Sequence, residues 1–167
     1  MIKEYKPTQL MIDWEKALRN PELKQTQGAL CKADDEGNKS YCCLGVLEEV
    51  AGNVAKPPAS REFLGESANN WGFFGPTAYG EVGMPSGELV DLLFGRVTPV
   101  DQYNNEANVP LGVDWDGDSL GAADLNDDHG WTFEQIADEI RKVYIDGDGD
   151  WSSNEINPRK HREGDCE

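Results

Sequence analysis

The chain contains 167 residues, a normal length for one domain with a full hydrophobic core. Its 15 Lys/Arg and 32 Asp/Glu residues give a formal net charge of −17, which excludes a protein that binds bare nucleic acid or anionic membranes through a basic surface. Residues 97–140 hold 11 of the acids and no Lys or Arg, so the acidity is concentrated in one segment.

The N-terminal third predicts a helix, a hairpin and a second helix. Apolar residues recur at helical spacing until Pro21, which predicts a helix over 8–20. The run Asp35–Asn38 is typical of a tight turn and predicts a β-hairpin over 28–42. The apolar period then becomes helical again, and we predict a helix over 43–52.

Residues 53–85 are rich in Gly, Pro and Ser and predict a long loop, followed by a short helix over 86–95. The loop nevertheless contains five aromatic residues: Phe63, Trp71, Phe73, Phe74 and Tyr79. Such aromatics either pack on the core as a lid or line a ligand pocket, and the sequence leaves both interpretations open.

The C-terminal half predicts a helix over 119–126 and a longer one over 132–144. The second begins with a capping box, in which Thr132 and Gln135 satisfy each other's backbone N–H groups. Together, the elements predict a single α+β domain over residues 1–145, with a small antiparallel sheet packed against about five helices. Residues 146–167 lack periodicity and predict an acidic loop and a partly mobile tail.

The adjacent residues Cys42 and Cys43 raise the question of a metal site, a redox pair or core packing. No second cysteine pair stands at zinc-ligand spacing, and neighbouring residues at a helix start point in different directions. A cross-strand disulfide between Cys31 and Cys42 is the redox alternative. No membrane span or signal peptide is visible, so we expect a cytoplasmic protein with reduced, buried cysteines.

Calcium is the one candidate cofactor. Alternating aspartates with glycines place several carboxylates around one point, and we predict a non-standard site from four acidic residues: Asp146, Asp148, Asp150 and Glu155. A second cluster, Asp114, Asp116 and Asp118, also invites this interpretation. Neither run has the Gly and Glu positions of an EF-hand loop, and solvated acidic turns are the alternative.

Enzymatic activity is not expected from the motifs. The run VDWDGDSL is similar to the aspartate nucleophile motif of haloacid-dehalogenase-like phosphatases, but Asp118 stands where that motif has threonine, and too few residues follow for that fold. His129 has no Ser or Cys motif as a partner, and no phosphate-binding glycine motif is present.

Four motifs together resemble a group of small, mostly uncharacterised proteins common in bacteriophage genomes. They are WEKAL, Q-x-x-G-x-L from Gln25, YCCLGVL, and LND followed by G-x-x-F-x-x-IAD-x-I. The match covers residues 14–51 and 120–140, and the chain departs from it at Leu23 and in the loop after Asp127. The resemblance implies a phage accessory protein that acts inside the infected cell, and it implies no catalytic residue.

We therefore expect a non-catalytic counter-defence protein. Two mechanisms compete, and either is compatible with a homo-oligomer. In the first, an aromatic and basic pocket sequesters a small nucleotide-like signal by stacking and charge pairing. The expected ligand-binding residues are Lys56, Arg61, Trp71, Phe73, Phe74 and Tyr79, together with Gln25, Asn126 and Asp127. In the second, the acidic 97–140 segment mimics nucleic acid or docks on a basic host protein. A calcium-binding or other structural protein is the third alternative.

Overall fold

The computed structural model describes residues 6–57, 69–95 and 109–158. Within these ranges the chain forms five α-helices and seven β-strands, which confirms the predicted α+β single-domain fold class. The helices are α1 Gln9–Leu18, α2 Cys43–Val50, α3 Gly87–Phe94, α4 Ala122–Asp127 and α5 Phe133–Ile140. The strands are β1 Cys31–Ala33, β2 Lys39–Tyr41, β3 Val54–Lys56, β4 Asn70–Gly75, β5 Ala78–Glu81, β6 Pro110–Val113 and β7 Ser119–Gly121.

Side-chain caps fix the starts of three helices. The hydroxyl of Thr8 accepts a hydrogen bond from the first turn of α1, and that of Ser86 does the same for α3. At α5, Thr132 and Gln135 form the predicted capping box. Beyond Ile140 the chain continues as a π-helical turn, Arg141–Ile145, so the predicted 132–144 helix changes its hydrogen-bond pattern in its last turn.

The main sheet has five antiparallel strands in the order β2-β1-β4-β3, with β5 also paired to β4. Phe73 and Phe74 of β4 pair with both β3 and β5. These two strands therefore lie on opposite sides of β4, and β5 is on the same side as β1. The β1–β2 hairpin is the predicted one, and the Asp34 carboxylate closes its turn by accepting the backbone N–H groups of Glu36 and Asn38.

Residues 53–85 are not the long loop that the sequence predicted, because they contain strands β3, β4 and β5. Three glycines that suggested a loop are needed for sheet pairing. Gly75 packs against Asn53, a Cβ added at Gly72 would stand 2.8 Å from the carbonyl oxygen of Gly80, and Gly80 has a φ of +102° at a β-bulge. The glycine content therefore marks close backbone approach rather than irregular structure.

The predicted 119–126 helix is wrong at its N-terminal end. Residues 119–121 form β7, which pairs with β6 in a separate hairpin, and α4 begins only at Ala122. The turn at Asp114–Asp118 brings the strands together, so pairing with β6 outweighs the helical tendency of this stretch.

The core lies between the inner face of the sheet and the helices. Trp14 of α1 is fully buried and donates its indole N–H to the carbonyl of Cys43 at 2.8 Å. Residues after the π-helical turn also join the packed body: Ile156 is buried, and Asn154 donates to the carbonyl of Leu111. None of the helices in the described ranges has the length and apolar character needed to cross a bilayer.

Candidate functional site

The face of the main sheet that points away from the core carries the candidate site, and we call it the open face. Paired residues across antiparallel strands share a face, as do alternate residues along a strand. The registers therefore place seven side chains on the open face: Lys32, Ser40, Val54, Lys56, Asn70, Phe74 and Tyr79. Val54, Phe74 and Tyr79 are exposed large side chains, an unusual property for three neighbours on one sheet.

The centre of the open face is an aromatic pair with a cation beside it. Phe74 lies directly opposite Tyr79, and the ammonium of Lys56 lies 5.8 Å from the centroid of the Phe74 ring. This distance is within the range of a cation–π interaction. The ring of Phe74 lies beside Gly80, where an added Cβ would stand 3.4 Å from it, so the glycine leaves room for the aromatic side chain.

Tyr79 is held by hydrogen bonds at both ends. Its hydroxyl donates to a carboxylate oxygen of Glu88 at 2.7 Å, and its backbone N–H donates to Glu81 at 2.6 Å. The bond to Glu88 raises the pKa of the Tyr79 hydroxyl, which therefore stays protonated. The aromatic surface of the open face is thus positioned before any partner arrives.

The open face also carries two lysines in a strongly acidic chain. Within the described ranges, neither Lys32 nor Lys56 lies within 4.0 Å of a carboxylate oxygen, whereas Arg19 and Arg141 are both engaged by acidic side chains. Exposed charges act over about 8 Å at physiological salt, so Lys56 supplies positive charge beside Phe74, while the carboxylates of Glu81 and Glu88 supply negative charge beside Tyr79.

Two predicted site residues lie on the opposite, inner face of the sheet. Phe73 is fully buried and packs against Tyr41, with ring centroids 6.4 Å apart. Trp71 pairs with Cys31 and lies under the ammonium of Lys39 at 5.4 Å. Alternate strand residues point to opposite faces, so Trp71 and Phe73 cannot join Phe74 on the open face. Trp71 and Phe73 therefore pack against the core, which is the first of the two interpretations that the sequence left open. Arg61, another predicted ligand-binding residue, lies outside the described residues.

Gln25, Asn126 and Asp127 form a separate polar cluster. The buried amide oxygen of Asn126 accepts from Gln25 at 2.7 Å and from the backbone N–H of Cys43 at 3.2 Å. Its amide nitrogen donates to the carbonyl of Thr26 and to Asp127. These bonds use the hydrogen-bonding capacity of Asn126 and fasten the 25–28 segment to α2 and α4, so the structure does not bring this cluster to the open face.

In the described ranges, Cys31, Cys42 and Cys43 are buried free thiols, as the core interpretation predicted for Cys42 and Cys43. The expectation that Cys31 faces Cys42 across the hairpin is wrong, because Cys31 pairs with Tyr41 and Cys42 lies beyond the end of β2. Burial raises the pKa of the Cys31 thiol to about 11 and that of Cys42 to about 12, and it raises that of Cys43 well above its ordinary value. At neutral pH these thiols are therefore protonated and weak nucleophiles.

The four proposed calcium ligands have other partners or positions. Asp146 pairs with Arg141 at 3.4 Å, Asp148 accepts the backbone N–H of Asp150, and Asp150 caps the 3₁₀ turn Trp151–Ser153. Glu155 forms a backbone bridge with Val113. In the part of the chain that the structure describes, only one group of three acidic side chains converges to within 4.8 Å, and it is Asp114, Asp116 and Asp118.

The buried carboxyl group of Glu48 has a position that the sequence interpretation missed. One oxygen accepts from Asn53 at 2.8 Å, and Asn53 in turn bonds to Thr77 at the β4–β5 turn. Burial, with a smaller contribution from the charge of Glu81, raises the pKa of Glu48 to about 7, and the Asn53 bond opposes this rise because it favours the ionised carboxylate. The signal was present in the sequence, since Glu48 stands four residues after Leu44 on the apolar stripe of α2.

Comparison with protein-family models, curated proteins and solved structures gave no match.

Proposed function

We propose that this chain is a non-catalytic binding protein that sequesters a small nucleotide-like anion on the open face. The observation that carries the proposal is the arrangement of Phe74, Tyr79 and Lys56, in which an exposed cross-strand aromatic pair lies beside an ammonium group. A planar base stacks on aromatic rings, and a phosphate pairs with ammonium groups.

The neighbouring polar groups fit the same ligand class. Lys32 stands opposite both Ser40 and Asn70, so a second cation and two hydrogen-bonding side chains lie on the open face four residues along β4 from Phe74. A ligand with one flat ring and one negatively charged group satisfies both parts of the face. An uncharged apolar ligand would leave the lysines unused.

The state of the thiols supports binding without catalysis. Cys31, Cys42 and Cys43 are buried and protonated at neutral pH, and none lies on the open face. The resemblance to phage-encoded proteins suggests the setting: a protein that removes a host signalling nucleotide by holding it rather than by cleaving it would act as a counter-defence protein.

The proposal is tested by identifying what the purified chain carries. The full-length protein is purified from cells, denatured, and the released small molecules are analysed by mass spectrometry. We expect a phosphorylated compound with an aromatic base from the wild type and much less from Phe74→Ala or Lys56→Gln. Loss of stacking worth about 1–3 kcal/mol reduces affinity roughly 5- to 150-fold.

Leu92→Ala is the matched control, because Leu92 is an exposed apolar residue on α3 rather than on the sheet. It should release as much ligand as the wild type. Circular dichroism of each variant checks the fold. Equal release from Phe74→Ala and the wild type, with both folded, would show that the open face does not hold the ligand.

A further inference from the structure

The most exposed large hydrophobic side chain in the described ranges is Trp115, which is 88% exposed at the tip of the β6–β7 hairpin. Burying an indole is strongly favourable, so an isolated tryptophan held in water is typical of a residue that contacts a partner. Trp115 belongs to a different sheet from the open face, and it therefore requires its own explanation.

The hairpin holds Trp115 in a fixed position. A carboxylate oxygen of Asp114 accepts the backbone N–H groups of Asp116 and Asp118 at 2.9 and 3.0 Å. The backbone of Asp114 also bonds to Gly117 and Asp118. The turn is therefore ordered without a partner, and little conformational entropy is lost when Trp115 is covered.

Trp115 forms one wall of a groove of about 650 Å³. The remaining lining residues in the described ranges come from one segment: Glu155, Ile156, Asn157 and Pro158. This segment is itself tied to the hairpin, because Val113 exchanges backbone hydrogen bonds with Asn154 and Ile156. The groove thus combines apolar surface with the carboxylate of Glu155 on a fixed frame.

We propose that this groove docks an arginine-rich segment of another protein. Charge complementarity selects the occupant, since Glu155 lines the groove with Trp115, and Asp116 and Asp118 lie in the same hairpin turn as Trp115, in a chain of net charge −17. Arginine fits both features, because its planar guanidinium stacks on an indole face and makes paired hydrogen bonds to carboxylates. An acidic or purely apolar segment would leave one of these features unmatched.

The test measures binding of a fluorescently labelled oligo-arginine peptide to the full-length protein by anisotropy. We expect Trp115→Ala to weaken binding about tenfold, the size of one stacked cation–π contact that is partly shielded from water. Because Trp115 is almost fully exposed, its removal should leave the thermal unfolding curve unchanged. An oligo-lysine peptide of equal length should bind more weakly than oligo-arginine, since lysine lacks the planar group.

A charge-matched pair of double variants separates docking from general attraction to an acidic chain. Asp116→Asn with Asp118→Asn should weaken peptide binding strongly. Asp35→Asn with Glu36→Gln removes the same charge from the exposed β1–β2 turn and should have little effect. If both double variants weaken peptide binding equally, and Trp115→Ala binds the peptide as tightly as the wild type does, the binding is nonspecific electrostatic attraction and the proposal is overturned.

Two further experiments on the same protein test for two other occupants of the groove. Self-association that sedimentation detects in the wild type and that Trp115→Ala abolishes would assign the groove to a second copy of the chain. The chain's own basic residues at 159–162 are the other candidate. If neutralising them increases quenching of Trp115 fluorescence by acrylamide, while the peptide fails to bind the wild type, the groove belongs to that segment. Either result would overturn docking of another protein.

Discussion

Replacing Glu48 tests how closely α2 packs against the β4–β5 turn. Its carboxyl group is fully buried beneath the β4–β5 turn, and one of its oxygens has no hydrogen-bond partner in the described part of the chain. Replacing Glu48 with glutamine keeps the shape of the side chain and the bond from Asn53, but it removes the titrating proton. The comparison of wild type and Glu48→Gln therefore isolates one group among 32 acidic residues.

The magnitude follows from the two pKa values of Glu48. Its ordinary value is 4.5, and burial raises it to about 7 in the folded chain. The folded state therefore keeps a proton that the unfolded state loses, and the free energy of unfolding falls as the pH rises from about 4.5 to about 7. The gap is about 2.5 pH units, which at about 1.36 kcal/mol per unit corresponds to about 3 kcal/mol.

The assay is urea unfolding of both proteins from pH 4.5 to pH 8, followed by tryptophan fluorescence. We expect the unfolding free energy of the wild type, measured relative to Glu48→Gln, to drop by about 3 kcal/mol across this range and to level off above pH 7. Taking the difference cancels the titration of groups that both proteins share.

The control is Glu134→Gln, because Glu134 is exposed in the first turn of α5. Its difference from the wild type should vary by well under 1 kcal/mol over the same range. If the Glu48→Gln difference is equally flat, the carboxyl group is hydrated in the folded protein, and the described burial of α2 against the β4–β5 turn is wrong.

Three further substitutions test the core by urea unfolding. Cys43→Ser adds a hydroxyl at a fully buried position and should cost about 1–3 kcal/mol, whereas rapid labelling of native Cys43 by a thiol reagent would contradict its burial. Asn126→Ala leaves the Gln25 amide and a backbone N–H without their acceptor and should cost about 2–4 kcal/mol; a cost near zero would show that the cluster is solvated. Gly45→Ala would place a methyl group against the carbonyl of Leu30 and should cost about 3 kcal/mol or more, so a variant of wild-type stability would contradict this helix–strand packing.

Local signals made part of the fold predictable. The Asp34–Asn38 turn and the Thr132 capping box act within a few residues, and both elements form where they were predicted. Strand β4 pairs with β1 and β3 from separate stretches of the chain, and the β4–β5 hairpin contains a bulge at Gly80, features that local propensity does not encode. The 53–85 stretch was accordingly predicted as a loop.

The same limit applies to the candidate site. The sequence singled out Phe73 and Phe74 together, but the pleat of β4 sends one into the core and the other to the open face. Which of the two is exposed depends on register, and a shift of one residue would exchange them. Gln25 and Asn126 were likewise grouped as polar candidates, and only the packed structure assigns their hydrogen bonds to each other.

The most direct test of ligand binding on the open face is an amide chemical-shift titration of the labelled full-length protein with adenosine monophosphate and uridine monophosphate. We predict that the shifts concentrate on Val54, Lys56, Phe74 and Tyr79, and that both probes lose their effect in Phe74→Ala. Shifts centred on the Trp115 hairpin, or no shifts at millimolar nucleotide, would contradict the proposal that the open face binds a nucleotide-like anion.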